Sequence, residues 1–195
     1  MQKDKRRMMR PISLLVTGLL LPWSVAAAGA TDAVPFDPVT VDLADVIACK
    51  IDGGHYTGFA MTISSGGARP GSAKARGWVK LPVKSPFFSA YRLPKPLSIF
   101  GNSTSTLAFT GSALFAVLDL PDATALGAEL GIANSFEGSG QFKGELIIDE
   151  STSTDKETGY RFKNRSALQI ATNPAFPGKT LVGCHYNGEL QLPAS

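Results

Sequence analysis

Prolines and glycines cut the chain beyond residue 31 into apolar runs of strand length, and that punctuation constrains the fold more than any other feature. Pro82, Pro86, Pro94 and Pro96 separate residues 76–81, 87–93 and 97–100, each read as a strand, with residues 106–110 as another. Residues 56–64 alternate enough to be read as a strand, and the Gly-rich residues 65–75 as a flexible connection. Residues 112–120 (SALFAVLDL) are the most apolar stretch and are expected to be a central strand buried on both faces. Residues 142–149 and 160–171 read as a hairpin across the polar loop 150–159. Asn187-Gly188, between residues 181–186 and 189–192, suits the two positive-φ positions of a type I′ turn.

Helix signals are fewer. Residues 42–49 place Leu43, Val46 and Ile47 at helical spacing behind Asp42, although so short a run also fits a strand. Residues 122–130 offer Asp122 as a cap and Gly131 as a stop. Neither βαβ alternation nor an internal repeat is present. The expected class is mainly β: a single antiparallel β-sandwich or small β-barrel with one or two short helices, spanning residues 31–195 as one domain. At 195 residues the chain is too short for a complete (β/α)8 barrel.

Residues 1–30 have the form of a cleaved export signal. A basic stretch (1–10) precedes ten apolar residues (12–21), Pro22 and a run of small side chains. Ala28-Gly29-Ala30 fits the A-x-A cleavage pattern, placing the mature start at Thr31, with Ala28 as the alternative. A membrane span needs about twenty apolar residues, twice this run, so no transmembrane anchor is expected and the domain is read as periplasmic or secreted. An oxidising compartment favours pairing of the two cysteines, Cys49 with Cys184. Such a bridge would gather His55, Tyr56, His185 and Tyr186 into one polar neighbourhood. A zinc site competes for the same residues, but zinc wants four convergent ligands, and Cys184 and His185 are adjacent on a strand and face opposite ways. A disulfide and no metal is therefore the expectation.

Charge is arranged in blocks. Residues 1–30 carry five bases against one acid, so the formal +3 of the whole chain becomes −1 without them. Residues 53–118 contain no acid and seven bases: Arg69, Lys74, Arg76, Lys80, Lys84, Arg92 and Lys95. The flanking blocks, 31–52 and 119–195, are each −4. Arg69, Lys74 and Arg76, with Trp78 and Tyr91 interleaved, form a candidate binding face for an anionic envelope polymer or an acidic protein surface. The competing arrangement sets acidic strands beside the basic ones and neutralises them. Nucleic acid is a poor partner for an exported chain.

Catalytic and cofactor motifs fail. There is no Gly-x-Ser-x-Gly, His-Glu-x-x-His or Gly-x4-Gly-Lys-Ser/Thr, and none of the patterns present implies a cofactor. Ser153-x-x-Lys156 lies in a charged loop, and the adjacent Asp149 and Glu150 cannot form a carboxylate pair across a cleft. The expected function is a non-enzymatic exported binding module, of inhibitor or immunity type or an envelope-ligand binder. A small envelope hydrolase with a histidine base is the alternative. It requires His55 or His185 to line a concave site beside a Ser, Asp or Glu.

Overall fold

In the computed structural model, which describes residues 36–136, 140–155 and 157–191, seven strands form one antiparallel sheet. They are β1 (Val79–Leu81), β2 (Ser89–Ile99), β3 (Asn102–Phe109), β4 (Ala113–Leu118), β5 (Lys143–Thr154), β6 (Arg161–Thr172) and β7 (Thr180–Gln191). Three short helices accompany them: α1 (Leu43–Ile47), α2 (Gly53–Ser64) and α3 (Thr124–Glu129). The expected export signal (1–30), Lys156 and Leu192 lie outside the described residues. The strand order is β1-β2-β3-β4-β7-β6-β5, so the expected mainly β, antiparallel class is the one observed. The sheet does not close into a barrel, and no second sheet completes a sandwich among the described residues. The helices take that second layer instead, on one face of the sheet.

The apolar stretch expected at the centre is there: β4 is buried at all six positions. Alternation sends Leu114, Ala116 and Leu118 to the inner face, beneath the helices, and Ala113, Phe115 and Val117 to the outer face. β4 pairs with β3 on one side and with the distant β7 on the other. Gly183 of β7 sits opposite Phe115. A Cβ at Gly183 would overlap the Leu114 carbonyl oxygen and stand 2.8 Å from Phe115 Cα, so this pairing requires glycine.

The inner layer is pinned to β7. Asp42 caps α1 by accepting from the Ala44 amide at 2.8 Å, as the sequence suggests. The helix ends in a Schellman motif: Lys50 N donates to Asp45 O (2.9 Å) and Cys49 N to Val46 O (3.4 Å). The left-handed position of that motif belongs to Cys49 (φ +58°), where glycine is usual. Cys49 is disulfide-bonded to Cys184, with Cα atoms 5.1 Å apart, as expected. The bridge closes a loop of 135 residues, for which chain entropy allows about 4–5 kcal/mol. Beside it, Tyr186 donates to Val46 O at 2.7 Å and stacks on Tyr56 with centroids 4.4 Å apart.

Three local expectations are corrected. Residues 56–64 are helical, not a strand. Asp52 accepts from the His55 amide at 2.9 Å and starts α2, whose Tyr56, Phe59 and Ile63 fall on one buried stripe. Asn187-Gly188 is not a turn: β7 runs straight through it, pairing Asn187 with Arg165 and Gly188 with Asn164. β6 is long enough to template the whole of β7, and that tertiary pairing overrides the local turn preference. Residues 87–93 and 97–100 merge into the single strand β2, whose register shift between Arg92 and Leu97 absorbs Pro94 and Pro96. β1 covers β2 only at Ala90–Arg92, so the prolines deprive no outer neighbour of a donor.

Two stability outcomes follow from these close contacts. Gly183→Ala should cost about 3 kcal/mol or more in urea unfolding, at the top of the overpacking range, since backbone rather than a flexible side chain blocks the new methyl. With the bridge removed in both variants, Cys49→Gly/Cys184→Ala should exceed Cys49→Ala/Cys184→Ala by about 1 kcal/mol, because glycine relieves the left-handed position. Equal unfolding midpoints would show that Cys49 carries no such strain.

Candidate functional site: two hollows on the outer face

With the helices on the inner face, the outer face is left to two loops, residues 82–88 and 173–179. Phe88 and Phe176 meet edge to face, with centroids 5.3 Å apart, and cover the small side chains Ala90, Ala108 and Ala113. Two hollows remain on either side of this contact.

The first, about 520 Å³, lies over β2, β3 and β4. Its surface includes Leu81, Val83, Ala90, Val117 and Phe176, with hydroxyls contributed by residues 103–106. Thr104 is internally satisfied, its hydroxyl donating to Val117 O at 2.5 Å. Lys179 and Asp119 form an ion pair on the wall. Register places Arg92 opposite Thr106, and Val117 opposite Leu181.

The second hollow, about 700 Å³, lies over β5, β6 and β7 and is polar. Glu145, Arg165, Gln169 and His185 converge there because cross-strand register sets them on one face: Glu145 opposite Gln169, and Ala167 opposite His185. Arg165 Nη2 donates to Glu145 Oε1 (2.5 Å), and Gln169 Nε2 donates to Glu145 Oε2 (3.1 Å). Gln169 Nε2 lies 3.4 Å from His185 Nδ1, and His185 Nε2 lies 2.8 Å from Ser112 Oγ. Arg165 Nε is buried with no partner among the described residues. The Gln169 hydrogen bond, opposed by partial burial and aided by Arg165, holds the Glu145 carboxyl below its ordinary range. Burial lowers the His185 imidazole, with Glu145 pulling the other way and Arg165 adding to the depression.

This chain of contacts fixes the histidine tautomer. An ionised Glu145 only accepts, so it orients the Gln169 amide with its nitrogen toward both Glu145 and His185. Nδ1 of His185 is then the acceptor, and Nε2 carries the proton that is donated to Ser112 Oγ. In that state the imidazole has no lone pair facing Ser112. The opposite tautomer would set Nδ1–H against the Gln169 N–H. His185 thus lines a concave site beside Ser112 and Glu145, as a hydrolase requires, but holds the wrong proton for a base toward Ser112.

The other residues singled out in the sequence fall in different places. His55 is exposed at the start of α2, its Nδ1 2.7 Å from Asp52 and its ring stacked on Phe36. Tyr56 and Tyr186 stack on the inner face, away from His185, and burial raises both phenols. The disulfide therefore brings the tyrosines together and leaves the histidines apart. Arg69 and Lys74 are exposed on the connection after α2. Arg76 is not free in the same way: it donates to the carbonyls of Gly71, Pro38 and Val39 and packs over Phe59 and Trp78. Trp78 is buried, and Tyr91 packs against Trp78 and Phe109. Residues 65–75 likewise include a packed turn, with Ser72 and Ala73 buried. Ser112, Gln169 and Arg165 carried no sequence signal, since only cross-strand register unites them.

The lysines and arginines of the acid-free stretch form no ion pair among the described residues. Among the described residues, ion pairs join Lys50 to Asp45, His55 to Asp52, Lys163 to Glu150, Arg165 to Glu145 and Lys179 to Asp119. None uses Arg69, Lys74, Lys80, Lys84, Arg92 or Lys95, all of which are exposed. Comparison with protein-family models, curated proteins and solved structures finds no match to this chain.

The lowered His185 imidazole makes stability pH-dependent with a defined sign. An unfolded His titrates near pH 6.5, and the folded one lower. Protons therefore bind the unfolded chain preferentially in that window, and stability falls as pH drops from about 7.5 to 5.5. His185→Gln should flatten this part of the curve, measured as urea midpoints at both pH values. A wild-type and variant slope that coincide would disprove the assignment.

Proposed function

We propose that this chain is an exported, non-enzymatic binding module that captures an anionic envelope partner at the basic end of its sheet. The carrying observation is charge segregation: the acid-free stretch forms β1 through β4 in unbroken order, and six exposed cations there have no acidic partner among the described residues. Such one-sign clustering raises the local potential and speeds the approach of an anion. The Cys49–Cys184 bridge supports an oxidising compartment, and no described helix is long and apolar enough to cross a membrane. The partner-facing cations are Arg69, Lys74, Lys84, Arg92 and Lys95, whereas Arg76 acts as a clasp between loops.

The hydrolase alternative keeps one supporting observation, the 2.8 Å contact between His185 and Ser112. The tautomer set by Gln169 argues against it.

Because the segment 31–195 has a formal charge of −1, net charge cannot hold it on a phosphocellulose matrix at pH 7, and only a segregated cationic end can. The mature chain should be retained at low salt and elute as ionic strength rises toward 0.15 M, where screening acts within about 8 Å. Lys84→Gln/Arg92→Gln/Lys95→Gln should elute several-fold earlier in salt, with an unfolding midpoint within about 0.5 kcal/mol of the parent for each exposed site. Flow-through of the parent, or unchanged retention of the triple variant, would defeat the proposal. Ester hydrolysis abolished by both Ser112→Ala and His185→Gln would establish the alternative.

A further inference from the structure

We propose that the outer-face hollow over β2, β3 and β4 binds a small amphipathic anion, with an alkyl body against Val117 and Phe176 and a single carboxylate at the rim near Arg92 and Lys179. The inference rests on the binding reading above and gives that reading a ligand class.

Four observations converge on it. The hollow, about 520 Å³, falls within the roughly 300–1,000 Å³ of small-molecule sites. Its apolar surface comes from the sheet itself (Ala90, Val117) and from the two loops that meet at Phe88 and Phe176, so a chain-like body finds carbon on both sides. Two cations adjoin it: Lys179 lies on the wall, paired with Asp119, and Arg92 is the exposed cross-strand neighbour of lining Thr106. Asp119 is four-fifths exposed where it pairs with Lys179, so an incoming carboxylate can share or replace it at little cost. Apolar contact supplies the bulk of affinity in such a site, and a few placed cations supply orientation and preference.

A neutral molecule of the same shape would leave the rim cations unused, and a short anion would leave the floor uncovered. That contrast provides the test. Calorimetric titration of the mature chain with sodium decanoate, decanol and sodium butyrate should give saturable 1:1 binding of decanoate, at least about ten-fold tighter than decanol, and no measurable binding of butyrate. Arg92→Gln/Lys179→Gln should reduce the preference for decanoate over decanol to less than about two-fold. Thr106→Trp should abolish both by filling the hollow. Should that variant fold poorly, amide shifts of the parent chain on adding decanoate replace it, with changes expected at Ala90, Thr106, Val117 and Lys179 and none at His185. Equal affinity for decanol, or shifts centred on His185, would overturn the proposal. Retention on phosphocellulose, measured on the same preparation, separates the two readings: retention without decanoate binding defeats the hollow alone, and loss of retention defeats the basic end itself.

Discussion

Everything else in this structure depends on the pairing of β4 with β7. Two runs of antiparallel neighbours, β1 through β4 and β5 through β7, are each local in sequence, and this one non-local ladder makes them a single sheet. Its closeness is set by Gly183, where the β4 backbone leaves no room for a side chain. On the inner face of the same strand, Cys184 holds the end of α1 and Tyr186 holds its carbonyl at Val46. One strand therefore carries the seam on its edge, the helix layer on one side and His185 on the other. Loosening it would part the helices, the core and both outer hollows together.

The topology also decides what becomes of the charge pattern. Where consecutive strands stay neighbours, a block of like charge in the sequence stays a block in space. An interleaved order, with β5 inserted beside β2, would have set Glu145, Asp149 or Glu150 near Arg92 and neutralised it. Instead the uncharged β4 separates the basic strands from the mixed-charge ones, and Glu145 and Glu150 of β5 are matched locally by Arg165 and Lys163 of β6. Charge thus survives as a feature of one end of the sheet.

Legibility in the sequence followed the range of the interactions. The doubly apolar β4, the Asp42 cap and the cysteine pair were readable because each rests on composition or on a few neighbouring residues. Residues 56–64 alternate and also carry Tyr56, Phe59 and Ile63 as a helical stripe, and the signal that decides for the helix is the Asp52 cap, four residues upstream of that run. Asn187-Gly188 failed for the opposite reason: a strong local preference was overruled by twelve residues of pairing with β6. Trp78 and Tyr91 looked like binding aromatics from their basic neighbours, yet they serve the inner core. Nothing short of strand register could have joined Ser112, Gln169 and Arg165, which lie far apart in sequence and carry ordinary roles in isolation.

The two sides of the sheet are built on different terms. Inside, aromatic rings, the bridge and three helices fill the space, and its polar groups at Tyr56 and Tyr186 find backbone carbonyls. Outside, Ala90, Ala108, Ala113, Phe115, Val117 and Leu181 form a smaller buried cluster, covered by Phe88, Phe176 and their loops. A sheet face covered by loops alone forgoes the stabilisation that another helix would add. The core beneath, cross-linked to β7, supports the fold without that contribution. Arg92 stands on this outer face, opposite Thr106, and that is the side on which the proposed ligand would meet both carbon and a free cation.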